Sequence, residues 1–370
     1  MDHQTDIMAP MVDVPLDILR ALPSTLSASG GSNPRTESQH QGISVLPNEL
    51  VLHIVEKMDT ITRSRFMATK KEFYTLITAY ENSIFNSRVA TLTLPPLGNA
   101  LSSFGDARRV LQKDTFEMLF ELELRDNRIN SLLRECPKAF DLLTLPCLPC
   151  LTPSQQARLG LVLKRALHQC DRIADLAAHC SCPPIPLQCY DYILEGVYES
   201  STDVGEWASN PLTKPHIRPM QIEYIQSLSL EDVTGIYILV DMLGYNLTCP
   251  TCSMRYERKT IIEECILRHG TWFIWSLLRG RPGMREMAGY IISAGRTELR
   301  QWEDGATQGP ASLKMTLLAC FRNLVAGNTA SETTMNMETA CKRLVVGAEE
   351  EEEERTGASL TSTTNDRYRA

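Results

Sequence analysis

The stretch Leu46-Pro47-Asn48-Glu49-Leu50 marks the start of a helix in this 370-residue chain. Pro47 suits the first helical position, because the N–H that proline lacks would have no helical partner there. Glu49 lies in the first turn, where a negative charge faces the positive end of the helix dipole. The sequence therefore predicts a helix that begins beside Pro47.

Apolar side chains recur at every fourth residue along this helix, at Leu46, Leu50, Ile54 and Met58. Residues four apart lie on the same face of an α-helix, one turn above another. Val51 and Val55 widen this apolar stripe. The pattern predicts an amphipathic helix with one broad apolar face.

Two more short amphipathic helices are predicted directly downstream. Asp59-Thr60 is a short polar break, and Thr60 or Thr62 would cap a second helix with Ile61, Phe66 and Met67 as its apolar residues. A third helix would follow Lys70-Lys71, with an apolar face made by Phe73, Leu76 or Ile77, Tyr80 and Ile84. A domain this small buries too little apolar surface by itself, so the three helices need a partner or the remainder of the chain.

Residues 44–85 resemble the F-box, on the basis of Leu46-Pro47, Glu49-Leu50, Ile54, Met58 and the aromatic Phe73. In that family the helices pack against the small adaptor subunit of an SCF-type ubiquitin ligase, and the rest of the protein binds a substrate. The resemblance implies that the docking surface comprises Leu46, Pro47, Leu50, Ile54 and Met58. The sequence departs from the family pattern at Arg63, where a leucine is usual, and at Thr69, where a valine is usual. Ile61 is a candidate to replace the leucine.

The same segment also has a purely structural interpretation. Residues 44–90 would then be the first helical hairpin of an all-α domain, since Leu-Pro followed by an amphipathic helix is a common pattern. The two interpretations differ in whether the apolar stripe is exposed for a partner or buried in the chain.

Composition limits the classes of partner. The formal net charge is −8, which disfavours general binding to nucleic acids or to anionic membranes, because both require a basic surface. The acidic N-terminus does not resemble a secretory signal, and no apolar run approaches the length of a membrane span. Twelve cysteines without a signal peptide indicate thiols or metal ligands in a reducing compartment, the cytoplasm or the nucleus.

The chain divides into five regions by pattern. Residues 1–42 are rich in Ser, Pro and Gly and are predicted to be disordered. The F-box-like module covers 44–90, and 92–105 is interpreted as a linker. A larger helical domain is predicted over 106–346, as the substrate-binding part. Residues 347–370 begin with an acidic run, are rich in Ser and Thr further on, and are predicted to be a disordered tail.

The larger domain is predicted to be entirely helical. Thr152, Pro153 and Gln155 have the spacing of a capping box with proline at the first position. Ser229 with Asp232 marks another helix start, Gly244 is a candidate helix stop, and 200–219 is predicted as a loop. Helices are predicted near 106–136, 152–180, 188–199, 229–244, 257–279, 283–304, 310–326 and 331–346. No strand pattern is evident, so the predicted fold class is all-α.

A second motif combines cysteine and histidine. Cys249 and Cys252 are separated by two residues, and Cys265 and His269 are four apart on a predicted helix, a set that resembles a C2CH zinc finger. Four filled positions would make the zinc structural, because none remains for a water. In the alternative interpretation, Cys265 and His269 belong to a plain apolar helix face, where cysteine acts as a small hydrophobe. No cofactor other than this zinc is indicated.

None of the common catalytic motifs is present. The sequence contains no GxxxxGK[ST] loop, no HExxH, no GxSxG and no dinucleotide-binding fingerprint after a strand, so no catalytic residue is assigned and an enzyme is not expected. The sequence predicts an adaptor that recruits an unknown protein substrate to an SCF-type ligase. The alternative is a helical protein-interaction module stabilised by zinc, without a ligase role.

Overall fold

The computed structural model of the chain describes residues 46–102, 109–140, 148, 151–179, 217–248, 255–280, 282–303, 312–327 and 335–347. The predictions for 1–42, 188–199 and all but the first residue of 347–370 lie outside these residues. The described part contains twelve α-helices and one pair of two-residue strands, which confirms the all-α fold class. None of its helices combines the length and the apolar character needed to cross a bilayer.

Contacts between residues divide the chain into two compact units, the first ending at Arg88 and the second beginning at Val89. The boundary lies close to residue 90, where the sequence predicts the end of the first module. The first unit contains α1 (Asn48–Lys57), α2 (Thr60–Met67), α3 (Lys71–Ala79) and most of α4 (Glu81–Val89). The predicted third helix is thus divided in two at Tyr80, whose backbone leaves the helical conformation (φ −110°, ψ 15°).

The second unit begins with a short hairpin followed by helices. Strands β1 (Ala100–Leu101) and β2 (Val110–Leu111) pair antiparallel, with Ala100 opposite Leu111. The helices are α5 (Phe116–Glu135), α6 (Pro153–Asp175), α7 (Ile217–Gln226), α8 (Leu230–Asn246), α9 (Arg255–Leu278), α10 (Pro282–Glu303), α11 (Leu313–Gly327) and α12 (Met337–Val345). Pro137–Phe140 and Leu176–His179 form short 3-10 helices.

The predicted helix start at Asp106 is wrong, because α5 begins ten residues later. Thr115 caps α5, with its hydroxyl oxygen accepting a hydrogen bond from the Met118 N–H at 3.3 Å. Just before it, Asp114 has a positive φ of 66°, a turn conformation that no helix can pass through. Val110 and Leu111 match the helical spacing of the sequence, but they lie in β2.

Local capping signals place α6 and α8 correctly. The Thr152 hydroxyl accepts from the Gln155 N–H at 3.3 Å and the Gln155 side chain accepts from the Thr152 N–H at 2.9 Å, which confirms the predicted capping box. The Ser229 hydroxyl caps α8 by accepting a hydrogen bond from the N–H of Asp232.

Gly244, the candidate stop, lies inside α8, where a Cβ would come within 2.6 Å of the Glu263 Cγ of α9. This glycine therefore allows close packing rather than ending the helix.

Helices α6, α8 and α9 form the centre of the second unit. The buried core includes Leu167 and Ile173 of α6, Ile236 of α8 and Ile266 and Phe273 of α9, all fully enclosed. Helix α9 is not continuous, since Gly270 has φ 64° and ψ −151°. The turn of helix after this break begins at Thr271, whose N–H donates to the Asp171 carboxylate of α6 at 2.8 Å.

Candidate functional site: an exposed apolar ridge on the first unit

The apolar stripe of α1 is divided between two environments. Leu46, Leu50 and Ile54 are exposed, with 37%, 50% and 39% of their surface accessible. Pro47 is also exposed and Met58 is half-buried. We call Leu46, Leu50 and Ile54 the α1 ridge. The structure therefore places four of the five predicted docking residues at the surface.

The inner face of α1 holds the unit together. Val51 and Val55 are 2% and 0% exposed, and α1 packs against α3, whose Phe73 and Ile77 are also buried. Leu50 and Val51 are about 100° apart around the helix axis, so one can face solvent while the other faces the core. Val51 and Val55 thus pack in the interior of the first unit, whereas the α1 ridge is exposed.

The side chain of Asp59 caps α2. The sequence predicts Thr60 or Thr62 as the capping residue, and this prediction is wrong. The Asp59 carboxylate accepts from the Thr62 N–H at 2.8 Å and from the Thr62 hydroxyl at 3.0 Å. The hydrogen bond from the Thr62 backbone lowers the pKa of Asp59 below its usual value, because it stabilises the ionised form. This cap fixes the turn between α1 and α2.

The residues that depart from the F-box pattern have defined positions. Arg63 is 1% exposed and its Nη2 donates to the Thr60 hydroxyl at 2.6 Å, whereas Ile61 is 38% exposed. Ile61 therefore does not take the place of a buried leucine. The aromatic residue Phe73 stacks on Phe66 with ring centroids 4.5 Å apart, and the Lys70 ammonium lies 5.9 Å from the Phe73 ring centre. These contacts join α2 to α3.

Only half of the predicted zinc ligands lie among the described residues. Cys265 and His269 are 2% and 1% exposed in α9, whereas Cys249 and Cys252 are outside the described part. Where residues are described, no group of three or more potential ligands is close enough to hold a metal ion. Because two of the four ligands are not described, the zinc site stays a prediction.

Glu263 and Cys265 of α9 lie beside different neighbouring helices. Glu263 lies against Gly244 of α8, while the Cys265 sulfur lies 3.7 Å from the position that a Cβ on Gly295 of α10 would occupy. Residues 263 and 265 are about 200° apart around the helix. The imidazole of His269 lies near the ring of Phe273, with centroids 6.3 Å apart.

Sequence reasoning missed a polar site in the second unit. Part of the predicted linker 92–105 lies against α5 and α6, where the Arg125 guanidinium forms ion pairs with Asp175 at 2.6 Å and Glu121 at 2.9 Å. Burial raises the pKa of Asp175, and the charge of Arg125 opposes that rise. The available sequence signal is the alternation of apolar Leu92, Leu94 and Pro96 with Thr93 and Pro95, which indicates a segment with one face against the protein.

Comparison of the chain with protein-family models, with curated proteins and with solved structures finds no match. No family assignment follows from these comparisons.

Proposed function

We propose that this chain is a substrate-recruiting adaptor of an SCF-type ubiquitin ligase. The α1 ridge docks on the ligase adaptor subunit, and the helical region 106–346 binds a protein target. The observation that carries the proposal is the exposure of Leu46, Leu50 and Ile54 on one helix face while the adjacent valines fill the interior. The residues that support docking are the ones on which the F-box resemblance is based.

The energy available from the ridge is sufficient for an interface. Fully burying a leucine or isoleucine side chain contributes roughly 1.5–3 kcal/mol, and a few such residues dominate most protein interfaces. Leu46, Leu50 and Ile54 start from 37–50% exposure, so each has surface left to bury. Met58 and Pro47 extend the contact at the two ends of the ridge.

Co-purification of full-length protein with the ligase adaptor subunit tests this function. The wild-type chain is expected to retain the adaptor, and Leu50→Asp is expected to weaken binding at least tenfold, because a carboxylate would be desolvated at the centre of the interface. Leu161→Asp is the matched control, since Leu161 is a 70% exposed leucine on α6 of the second unit.

Two outcomes would contradict the proposal. One is a folded wild-type chain that captures no more adaptor than beads alone. The other is an equal loss of capture in Leu50→Asp and Leu161→Asp, which would show that a new surface charge, and not the ridge, weakens binding.

A further inference from the structure

One face of α6 carries a row of mostly cationic side chains. Its members are spaced three and four residues apart, which places them on one side of the helix. They are Arg158, Leu161, Arg165, His168 and Arg172. The first three are exposed, whereas the last two are half-buried. We call Arg158, Leu161 and Arg165, with the adjacent Lys164, the open α6 face.

Carboxylates of neighbouring helices neutralise part of the charge of the open α6 face. Asp126 of α5 pairs with Lys164 at 2.8 Å. Asp232 of α8 pairs with Arg165 at 2.6 Å. The hydrogen bond to Asp232, together with the charges of Asp232 and Glu231, raises the pKa of Arg165. The Arg165 side chain is nevertheless 51% exposed, and Asp232 engages its Nε and Nη2 groups. The guanidinium therefore retains donors for a second carboxylate.

Arg158 forms no ion pair with a carboxylate among the described residues. Its Nη1 group donates to the carbonyl oxygens of Val345 and Val346 at 3.4 and 2.8 Å, where α12 ends. These oxygens carry the partial negative charge of a helix C-terminus and not a full charge. Arg158 therefore brings a largely uncompensated positive charge to the surface of α6.

The contact between Arg158 and the end of α12 also fixes the path of the chain at Gly347. This glycine has φ 99°, and a Cβ there would lie 2.6 Å from Arg158 Nη1. The chain therefore passes directly beside the open α6 face. Six consecutive glutamates, 349–354, begin two residues after Gly347.

We propose that glutamates 349–354 bind the open α6 face, so that the chain covers this face with its own acidic run. A fully extended run of this length spans about 20 Å, whereas Arg158 and Arg165 are about 10 Å apart along the helix axis. The run therefore reaches both arginines. Its carboxylates neutralise Arg158 and share Arg165 with Asp232 in charge-assisted hydrogen bonds.

The proposed contact is reversible, because its ion pairs are exposed. Such pairs are individually weak and are screened by salt. Leu161, at the centre of the open α6 face, is 70% exposed and lies under the path of the run between the two arginines. The acidic run thus acts as a salt-sensitive cover of this part of α6. The contact is internal to the second unit and does not depend on the adaptor function.

Photo-cross-linking of the full-length protein tests this contact. The photoreactive residue p-benzoylphenylalanine replaces Leu161, whose exposure leaves room for it, and mass spectrometry identifies the cross-linked peptides. Cross-links to residues 348–360 are expected at low salt. Their yield is expected to fall at least about fivefold in about 1 M salt, where the Debye length is about 3 Å. The same residue in place of Met315, a 52% exposed side chain of α11, is the matched control and is expected not to form these cross-links.

A charge variant separates binding from mere proximity. Replacement of all the glutamates 349–354 by glutamine keeps the length of the run and its attachment beside Arg158, but removes its charge. The yield from position 161 is expected to be at least about fivefold lower with this variant. Equal yields with glutamate and glutamine would show that attachment alone brings the run to α6, and they would overturn the proposal.

Mixing isotope-labelled and unlabelled chains identifies which chain supplies the run. Cross-links within one chain are expected, because Gly347 places the run beside its own α6. Hybrid cross-links at the frequency of random mixing would assign the contact to a second copy and overturn the intramolecular arrangement. A lack of any cross-link between position 161 and residues 348–370 would equally overturn the proposal.

Discussion

At Gly270 the backbone has φ 64° and ψ −151°, a combination that is essentially confined to glycine. The position is also crowded, since a Cβ there would lie 2.3 Å from an oxygen of the Asp171 carboxylate. That carboxylate accepts from both the N–H and the hydroxyl of Thr271, each at about 2.8 Å. Gly270 therefore breaks α9, and Asp171 of α6 caps the helical turn that follows the break.

Substitution Gly270→Ala is expected to lower the free energy of unfolding by at least about 1–3 kcal/mol, the cost of the strained backbone conformation alone. Displacement of Asp171 from Thr271 would add to this loss. Urea unfolding followed by tryptophan fluorescence reports on it, because Trp272 and Trp275 lie directly after the break.

Gly160→Ala provides the control for this measurement. Gly160 lies within α6 and a Cβ there would meet nothing within 4 Å, so alanine is expected to stabilise the helix by about 0.5–1 kcal/mol. A Gly270→Ala protein that unfolds at the wild-type urea concentration would show that the break at Gly270 tolerates a side chain.

Single residues also show where sequence patterns are ambiguous. Leu50 and Val51 are adjacent apolar residues of the predicted stripe, yet Leu50 is 50% exposed and Val51 is 2% exposed. The helical period places both near the stripe, but only the position of α3 decides which one is covered. Arg63 is similar, since its 1% exposure depends on packing and on the Thr60 hydroxyl rather than on its charge.

At the scale of secondary structure, a capping residue paired with a partner three residues later predicts a helix start. Thr152 and Gln155 cap α6 reciprocally, and Ser229 caps α8 through the N–H of Asp232. Both helices begin where these pairs predict. The sequence does not predict the start of α7, because the several prolines of 200–219 indicate a loop. Pro219 is the third residue of α7, within the first turn, where a missing N–H removes no helical hydrogen bond.

Strands β1 and β2 could not be predicted from alternation, because each has two residues and two residues do not define a period. Their position depends on contacts that are distant in sequence. Leu101 is held by Arg125 and Asp175, which are 24 and 74 residues away. The same distant contacts hold part of the predicted linker against α5 and α6.

The Asp59 cap of α2 leads to a pH-dependent prediction. Its hydrogen bonds to Thr62 lower the pKa of Asp59 from 3.8, so the folded state favours the carboxylate. The stabilisation is therefore present above pH 3.8 and is lost as the pH falls through the lower, folded-state pKa. Asp59→Ala is expected to destabilise α2 by about 1 kcal/mol near neutral pH, with a smaller difference from the wild type below pH ~4.

Hydrogen-exchange protection of residues 60–67, corrected for the intrinsic pH dependence of exchange, measures this effect. Asp59→Asn is the matched control, because asparagine caps a helix without a titrating group and should retain protection at both pH values. If Asp59→Ala and the wild type differ by the same amount at pH 3 and pH 7, the ionised cap is not the source of the stabilisation.

At the scale of the whole molecule, the two units contain sites with different physical character. The α1 ridge is an apolar helix face in the first unit, and its binding energy would come from buried area. In the second unit, the buried Arg125 forms ion pairs with Glu121 and Asp175 and donates to the Leu101 carbonyl oxygen. The net charge of −8 does not predict this distinction, because these charges pair locally within α5 and α6.

The zinc prediction is also decided on the whole chain, since two of its four ligands fall between α8 and α9 in the sequence and the other two lie in α9. If Cys249, Cys252, Cys265 and His269 bind zinc, purified wild-type protein should contain about one zinc per chain, and a chelator should lower its melting temperature, because the metal binds the folded state. Cys249→Ser and Cys252→Ser should each lose the metal. Cys320→Ser should keep it, because Cys320 is a free, buried cysteine of α11 outside the motif. A folded, metal-free wild type would instead leave Cys265 as a buried thiol that packs near Gly295 of α10.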